Sequence, residues 1–222
     1  MSNVAIIAAH PDDETLGCAG TILKHRRNRD TVYWIIATRM HQSLGFSKAE
    51  IRKRDKEIAA VAHRYGFKKT FPLGFPAAGL DTVPLKELIK PLADIFSAIK
   101  PEIIYLPFRS DVHSDHRKIF EAAYSCTKIF RYPFIKKILM METISETEFA
   151  PAIKGRTFYP NHFVDITAFF HKKQRIMLLY GGETGRHPFP RSLKNIEALA
   201  VLRGATAGCK YAESFMILKS VW

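Results

Sequence analysis

Two short stretches carry side chains able to do chemistry. "HPDDE" occupies residues 10–14, directly after the apolar run "VAIIAA", and "DVHSDH" occupies 111–116, shortly after "EIIYLPF". Both put histidine beside aspartate just past a strand-like segment. Imidazole nitrogen and carboxylate oxygen are the donors a catalytic zinc takes, usually three from the protein with one position left for water. His10, Asp13 and one of His113 or His116 would supply such a set. Asp12 is then free to act as general base. The remaining histidine is free to stabilise an oxyanion or protonate a leaving amine, with Asp115 to orient it. Each loop alone has a plainer explanation: Asp12 or Asp13 could cap a helix starting near Glu14, and Ser114 or Asp115 could cap the next one. Capping needs neither three histidines nor adjacent aspartates.

The elements that must position these loops read as an alternation of strands and helices. Strand candidates are 4–9, 31–38, 69–74, 102–108 and 136–144. Between them, apolar residues recur at helical spacing: Leu16, Ala19, Gly20 and Leu23; Ile51, Ile58, Ala62 and Tyr65, with Gly66 as a stop; Leu85 to Ile99, kinked or restarted at Pro91; and Ile119 to Ile129. Short links between such units predict an α/β fold, a Rossmann-like, mostly parallel sheet with helices on both faces. Ligands bind beyond the carboxyl ends of the strands in such sheets. Both histidine-rich loops sit at that end, so they are expected to open onto one rim. The last third reads as two helices, 165–180 and 192–204, the second capped by Ser192. A Gly- and Pro-rich loop, "GGETGRHPFPR", separates them. No repeat or low-complexity linker interrupts the 222 residues, which predicts one domain over 1–222.

Hydrophobic residues make up 47% and charged residues 25%, the balance of a soluble globular protein. No apolar run is long enough for a membrane span, and the first residues carry no secretory leader. Three cysteines, Cys18, Cys126 and Cys209, lie far apart without a metal or disulfide pattern, as reduced thiols of a cytoplasmic protein would. The net charge of +13 points to an anionic partner, or to attachment at the inner membrane face. The basic residues are spread over helix faces, which favours solvated surfaces over a nucleic-acid groove. The apolar run "FMILKSVW" at 215–222 is expected either to form a final strand or to meet a second copy in a homo-oligomer.

The two loops together resemble the PIG-L/LmbE-like zinc-dependent N-deacetylases, whose pattern is a (P/A)HPDDE motif after the first strand and HxxH after a later one. "AAHPDDE" and "HSDH" complete both. Softer likenesses extend over "IRKRDKEIAAVAHRYGF", "LGFPAAGLD", "PNHFVDIT", "RS" at 191–192 and "RGATAGCKYAESF". The resemblance implies an LmbE-like fold and removal of acetyl from an N-acetylglucosamine-type sugar conjugate, leaving free amine and acetate. It implies His10, Asp13 and His116 as zinc ligands, Asp12 as general base, His113 as oxyanion stabiliser, and Asp115 holding His113. Ferrous iron would suit the same ligands. The substrate it implies is a small or lipid-linked N-acetylated amino sugar, which the positive charge suggests is anionic.

Arg54 falls on the apolar stripe of its helix, so it is expected to meet either substrate or an internal carboxylate such as Glu57. Glu14 is expected to bond a substrate hydroxyl or to stabilise the first helical turn. Arg191 is expected at the substrate mouth, which the C-terminal third from about 145 to 222 would build. Two other classes use related features. A metal-dependent phosphoesterase would need a second metal about 4 Å away, and a noncatalytic nucleic-acid binder would use the basic surface.

Overall fold

Alternation along the first strand sets the architecture. Val4, Ile6 and Ala8 enter one apolar cluster, and Ala5, Ile7 and Ala9 enter another. A strand buried on both sides needs helices on both sides. The computed structural model describes residues 1–221. Its strands are β1 (Asn3–Ala8), β2 (Thr31–Arg39), β3 (Lys69–Pro76), β4 (Ile103–Leu106), β5 (Lys137–Met141), β6 (His162–Asp165) and β7 (Ala212–Ser220). Its α-helices are α1 (Asp13–Arg27), α2 (Lys48–Tyr65), α3 (Leu85–Ile99), α4 (Ser114–Ser125), α5 (Phe170–Met177) and α6 (Leu193–Ala207). One sheet holds all seven strands in the order β3-β2-β1-β4-β5-β7-β6. β3 through β5 are parallel; β7 pairs antiparallel with both β5 and β6. Helices α1, α2, α5 and α6 pack on the face that carries Trp34 and Tyr105, and α3 and α4 on the face that carries Ile35 and Leu106.

The chain runs outward from β1 to β3, then returns to lay β4 on the other side of β1. That reversal makes the β1/β4 junction a topological switch point, where loops diverge and leave a crevice. Val4 lies beside Ile103 and Ile6 beside Tyr105, so the carboxyl ends of the two strands are neighbours. The expected shared rim is therefore met.

Local signals account for most boundaries. Ser47 and Glu50 form a reciprocal capping box on α2, and Gly66 ends that helix at φ 68°. Ser192 caps α6 by accepting from the Asn195 N–H. One expectation needs correction, and two open alternatives narrow. Helix α3 runs through Pro91 without a restart. The helix expected over 165–180 is only Phe170–Met177, because β7 draws 162–165 into the sheet and the Asp165 carboxylate then turns the chain by accepting the Thr167 N–H at 2.9 Å. The expected alternative for "FMILKSVW" resolves toward the strand: β7 takes it as far as Ser220, while Trp222 lies outside the described residues.

Helix α1 is broken at Cys18, whose φ of −150° and ψ of 25° are not helical. The break frees backbone groups in a buried place, where each must find a partner. Lys173 on α5 donates to the Leu16 carbonyl at 2.7 Å. Glu213 on β7 accepts from the Gly20 N–H at 2.9 Å and from the Thr21 N–H at 2.8 Å. Lys173 and Glu213 also pair with each other at 2.9 Å, both buried. Removing one partner leaves an uncompensated buried charge. Lys173→Met is therefore expected to cost about 3–5 kcal/mol, a fall in Tm of roughly 6–20 °C for a chain this size. Thermal unfolding checks this; an unchanged Tm would mean the break is held some other way.

Candidate metal centre and cleft

The first turn of α1 and the first turn of α4 meet across the rim. Asp12 occupies the N-cap position of α1, yet its side chain makes no capping bond, and its backbone sits at φ 132°. Non-glycine residues rarely hold such a φ, and those that do cluster at functional sites. Glu14 accepts the Asp12 N–H at 3.1 Å and so helps hold that conformation. The capping explanation for Asp12 thus fails. In the second loop it applies to an unexpected residue: His113 is the N-cap of α4, and its Nδ1 accepts the Asp115 N–H at 3.1 Å. A neutral His113 must then carry its proton on Nε2.

Ligand-type atoms of His10, Asp13 and His116 lie within 4.8 Å of one another, as do those of His10, His113 and Asp115. The rings of His10 and His116 are 5.4 Å apart. Each of these two rings has one nitrogen taken by a carboxylate. His116 Nδ1 bonds Asp111 at 2.8 Å, and His10 Nε2 bonds Asp115 at 3.0 Å. Fully buried His116 Nε2 faces Asp13 Oδ1 at 3.2 Å without making a hydrogen bond. Asp13 Oδ2 is fixed by the His10 N–H at 2.8 Å. An orphaned imidazole nitrogen beside a carboxylate oxygen, with carboxylates behind the histidines, is the arrangement of a metal-ligating histidine and its outer support. Two nitrogens and one oxygen fit a divalent transition metal.

Electrostatics follow from burial. Burial raises the Asp12 carboxyl well above its usual range, and nearby Asp13 and Glu183 raise it further against the pull of Arg191. Burial works the same way on Asp13, but His116 and His10 outweigh it and hold that group low. For His116, burial opposes protonation, while Asp13 and Asp111 favour it more strongly. Burial and the neighbouring His10 lower His113. A bound cation would shift the whole set toward ionised carboxylates and neutral imidazoles.

Asp115 differs from its expected place. Its carboxylate holds His10 and accepts the N–H groups of Ala78 at 2.7 Å and Leu80 at 2.9 Å, and it makes no hydrogen bond to His113. The reason is that α4 turns Asp115 inward under the rim, while the N-cap His113 is left at the surface of the cleft. Glu14 also departs from its expected substrate contact. It is fully buried, bonded by Thr15 and by the Tyr180 hydroxyl at 2.8 Å, and burial pushes its carboxyl up to about 7. It lies in the first turn of α1.

A cleft of about 260 Å³ opens over these groups, with Asp12, Asp13, His10 and His113 in its floor and Arg54 and Arg191 in its wall. Arg54 meets an internal carboxylate: it pairs with Glu183 and lies 3.4 Å from Glu57, leaving its buried Nη1 without a partner. Arg191 binds Glu183 as well, at 3.1 Å. Arg54 thus ties the loop 181–191 to α2, and Arg191 ties the end of that loop back to Glu183. Sequence reasoning missed Asp111, Glu146 and Glu183. Asp111 stood inside the quoted "DVHSDH" and could have been found; Glu146 and Glu183 reach the cleft only through tertiary packing.

Fold and site together define an α/β protein with a histidine–aspartate metal-type centre at the switch point of its sheet. The family model described as PIG-L, GlcNAc-PI de-N-acetylase, matches residues 5–127, more than half the chain and both motifs. The chain belongs to that family. It is 22% identical over 231 residues to diacetylchitobiose deacetylase of Thermococcus kodakarensis, a match that spans all of this chain and 85% of that protein. Among solved structures, the N,N'-diacetylchitobiose deacetylase from Pyrococcus horikoshii is similar with a TM-score of 0.78 and 22% identity, over 98% of this chain and 84% of that one. The 4-carboxy-2-hydroxymuconate hydratase GalB from Pseudomonas putida is similar with a TM-score of 0.76 and 16% identity, over 100% and 98%. At these identities the structural likeness establishes the fold.

Replacing Asp111 tests the support behind His116. Asp111→Ala is expected to weaken metal binding by about 10–100-fold, the usual loss when an outer carboxylate is removed. Competition against a chromogenic chelator measures it. Unchanged affinity would mean that His116 is not held for a metal.

Proposed function

We propose that the chain is a zinc-dependent N-deacetylase that hydrolyses the acetamide of an N-acetylglucosamine-type sugar conjugate to a free amine and acetate. The observation that carries this reading is the placement of Asp12, a buried carboxylate that caps nothing, in one cleft with His113 and with His10 and Asp13, the two partners of the orphaned His116 nitrogen in a metal-type group. His10, Asp13 and His116 would hold the metal. When bound, zinc would supply Lewis acidity and lower the pKa of nearby water.

The chain's own residues supply the rest. Asp12 takes the proton from the attacking water; its raised carboxyl suits a base that must later return that proton. His113, with its proton on Nε2, donates to the carbonyl oxygen as negative charge develops there. The leaving amine receives from Asp12 the proton taken from the water, while His113, whose single proton is on Nε2, stays a hydrogen-bond donor. Asp115 fixes the tautomer of His10, and Asp111 that of His116. We read the segment from 145 to 222 as the substrate mouth, since Ser145, Glu146, Glu183 and Arg191 line the cleft. Arg54 and Arg191 act there first by fixing Glu183.

The phosphoesterase alternative gains nothing from the geometry. Both candidate ligand groups share His10, so they are alternatives for one ion rather than a two-metal pair. An anionic sugar conjugate fits the net charge, but the cleft itself balances Arg39, Arg54 and Arg191 against Asp12, Asp13, Glu146 and Glu183.

Acetate release from N-acetylglucosamine conjugates with different aglycones tests the reading. Asp12→Ala is expected to keep its metal and lose about a hundredfold or more in turnover. Near wild-type release by that variant would overturn the role of Asp12. For His113→Ala the expected loss is about 10²–10³-fold in kcat, as for removal of an oxyanion donor, again with metal retained. Loss of metal from that variant would reassign His113 as a ligand.

A further inference from the structure

Three arginines that the cleft does not use line a space of their own. A second pocket, about 380 Å³, is lined by Arg109, Ser110, Asp111, Arg117, Pro151 and Arg156. Its three guanidinium groups have no carboxylate partner among the described residues. Arg109 donates through Nη2 to the Gly155 carbonyl at 2.7 Å. Arg117 donates through Nη1 to the carbonyls of Asp111 at 2.7 Å and Val112 at 2.5 Å. Arg156 makes no side-chain hydrogen bond or ion pair among the described residues. The one acid in the lining, Asp111, is fully buried, and its carboxylate is turned inward to His116 and Thr147. It therefore offers the pocket no oxygen.

Backbone carbonyls fix two of the guanidinium groups while leaving their remaining N–H groups free, since each arginine carries five donors. Three such forks, on exposed side chains, border one space with no carboxylate to neutralise them. A tetrahedral dianion supplies charge and acceptors together, because phosphate oxygens match the guanidinium fork bidentately. A monocarboxylate would neutralise a single charge. We propose that this pocket is an anion site that takes the phosphate group of a phosphorylated ligand. It is separate from the catalytic cleft and does not rest on the deacetylase reading. It touches the catalytic loop from behind, because Arg117 holds the backbone of Asp111, the residue that supports His116.

The test is calorimetric titration of the metal-loaded protein with inorganic phosphate and with glycerol 3-phosphate at constant ionic strength. Co-sedimentation with phosphatidylcholine vesicles, with and without phosphatidate, runs beside it. Arg156→Gln, which removes no internal contact, is compared with Lys56→Gln, an equal charge change at an exposed residue elsewhere. The expected result is phosphate binding that Arg156→Gln weakens about tenfold or more and Lys56→Gln leaves unchanged. The same pattern confined to phosphatidate vesicles would identify a lipid headgroup as the source; its appearance with glycerol 3-phosphate would identify a soluble phosphate ester. Phosphate on the active-site metal would bind both variants alike. Equal binding by wild type and Arg156→Gln in every arm, or no binding in any, overturns the proposal.

Discussion

The break in α1 is the constraint on which the rim depends. A single straight helix would have to place the Asp13 turn and the remaining turns on one axis. The break at Cys18 releases the first turn, which carries Asp13 and follows Asp12, from the rest of the helix. Such a break is tolerable inside a protein only if the freed carbonyl and N–H groups are bonded. Lys173 and Glu213 do this from α5 and β7, far along the chain. Gly17 and Gly20 flank the break for a related reason. A Cβ on Gly20 would stand 2.4 Å from Ile166, and one on Gly17 would stand 2.9 Å from the Met141 Cβ. The C-terminal third is thus built into the catalytic end, because it completes the helix that presents the acids.

A second economy governs the floor of the cleft. Every carboxylate there with a visible structural duty is spent on a nitrogen: Asp115 on His10 and two backbone N–H groups, Asp111 on His116, Glu14 on the Asp12 backbone. What remains unspent is informative. Nε2 of His116 is a buried nitrogen without a hydrogen bond, and the Asp12 side chain lines the cleft and caps nothing. Burying such a nitrogen unpaired is costly, so a fold that keeps it 3.2 Å from the Asp13 carboxylate is one shaped around something that pairs with both.

Much of the fold was legible because the signals are local. The alternation in β1 and β2, the Ser47 and Ser192 caps and the Gly66 stop are short-range features with direct physical meaning. β6 was not legible: "HFVD" is four residues long, half-exposed and without alternation, and it is a strand only because β7 lies beside it. The site divides in the same way. The side chains at the two loops could be named from their types and spacing. Which oxygen meets which ring nitrogen could not, because that depends on how α4 is rotated. Hence Asp115 was matched to its sequence neighbour His113, while the fold gives it to His10, 105 positions away.

The likeness to a hydratase as well as to deacetylases, at nearly the same TM-score, shows how little the sheet alone says about the reaction. The same strands and the same switch point can serve either chemistry. The choice must lie in the few groups that face the reacting atoms. Amide hydrolysis asks for a base on the side from which water arrives and an N–H donor where charge collects on oxygen. On the proposed reading, Asp12 meets the first need through a backbone conformation that an L-residue rarely adopts, and His113 meets the second through a cap that fixes its proton on Nε2. Neither feature is needed to hold the sheet together. The Asp12 conformation costs the folded state something, which is the reason to connect it with function rather than with stability.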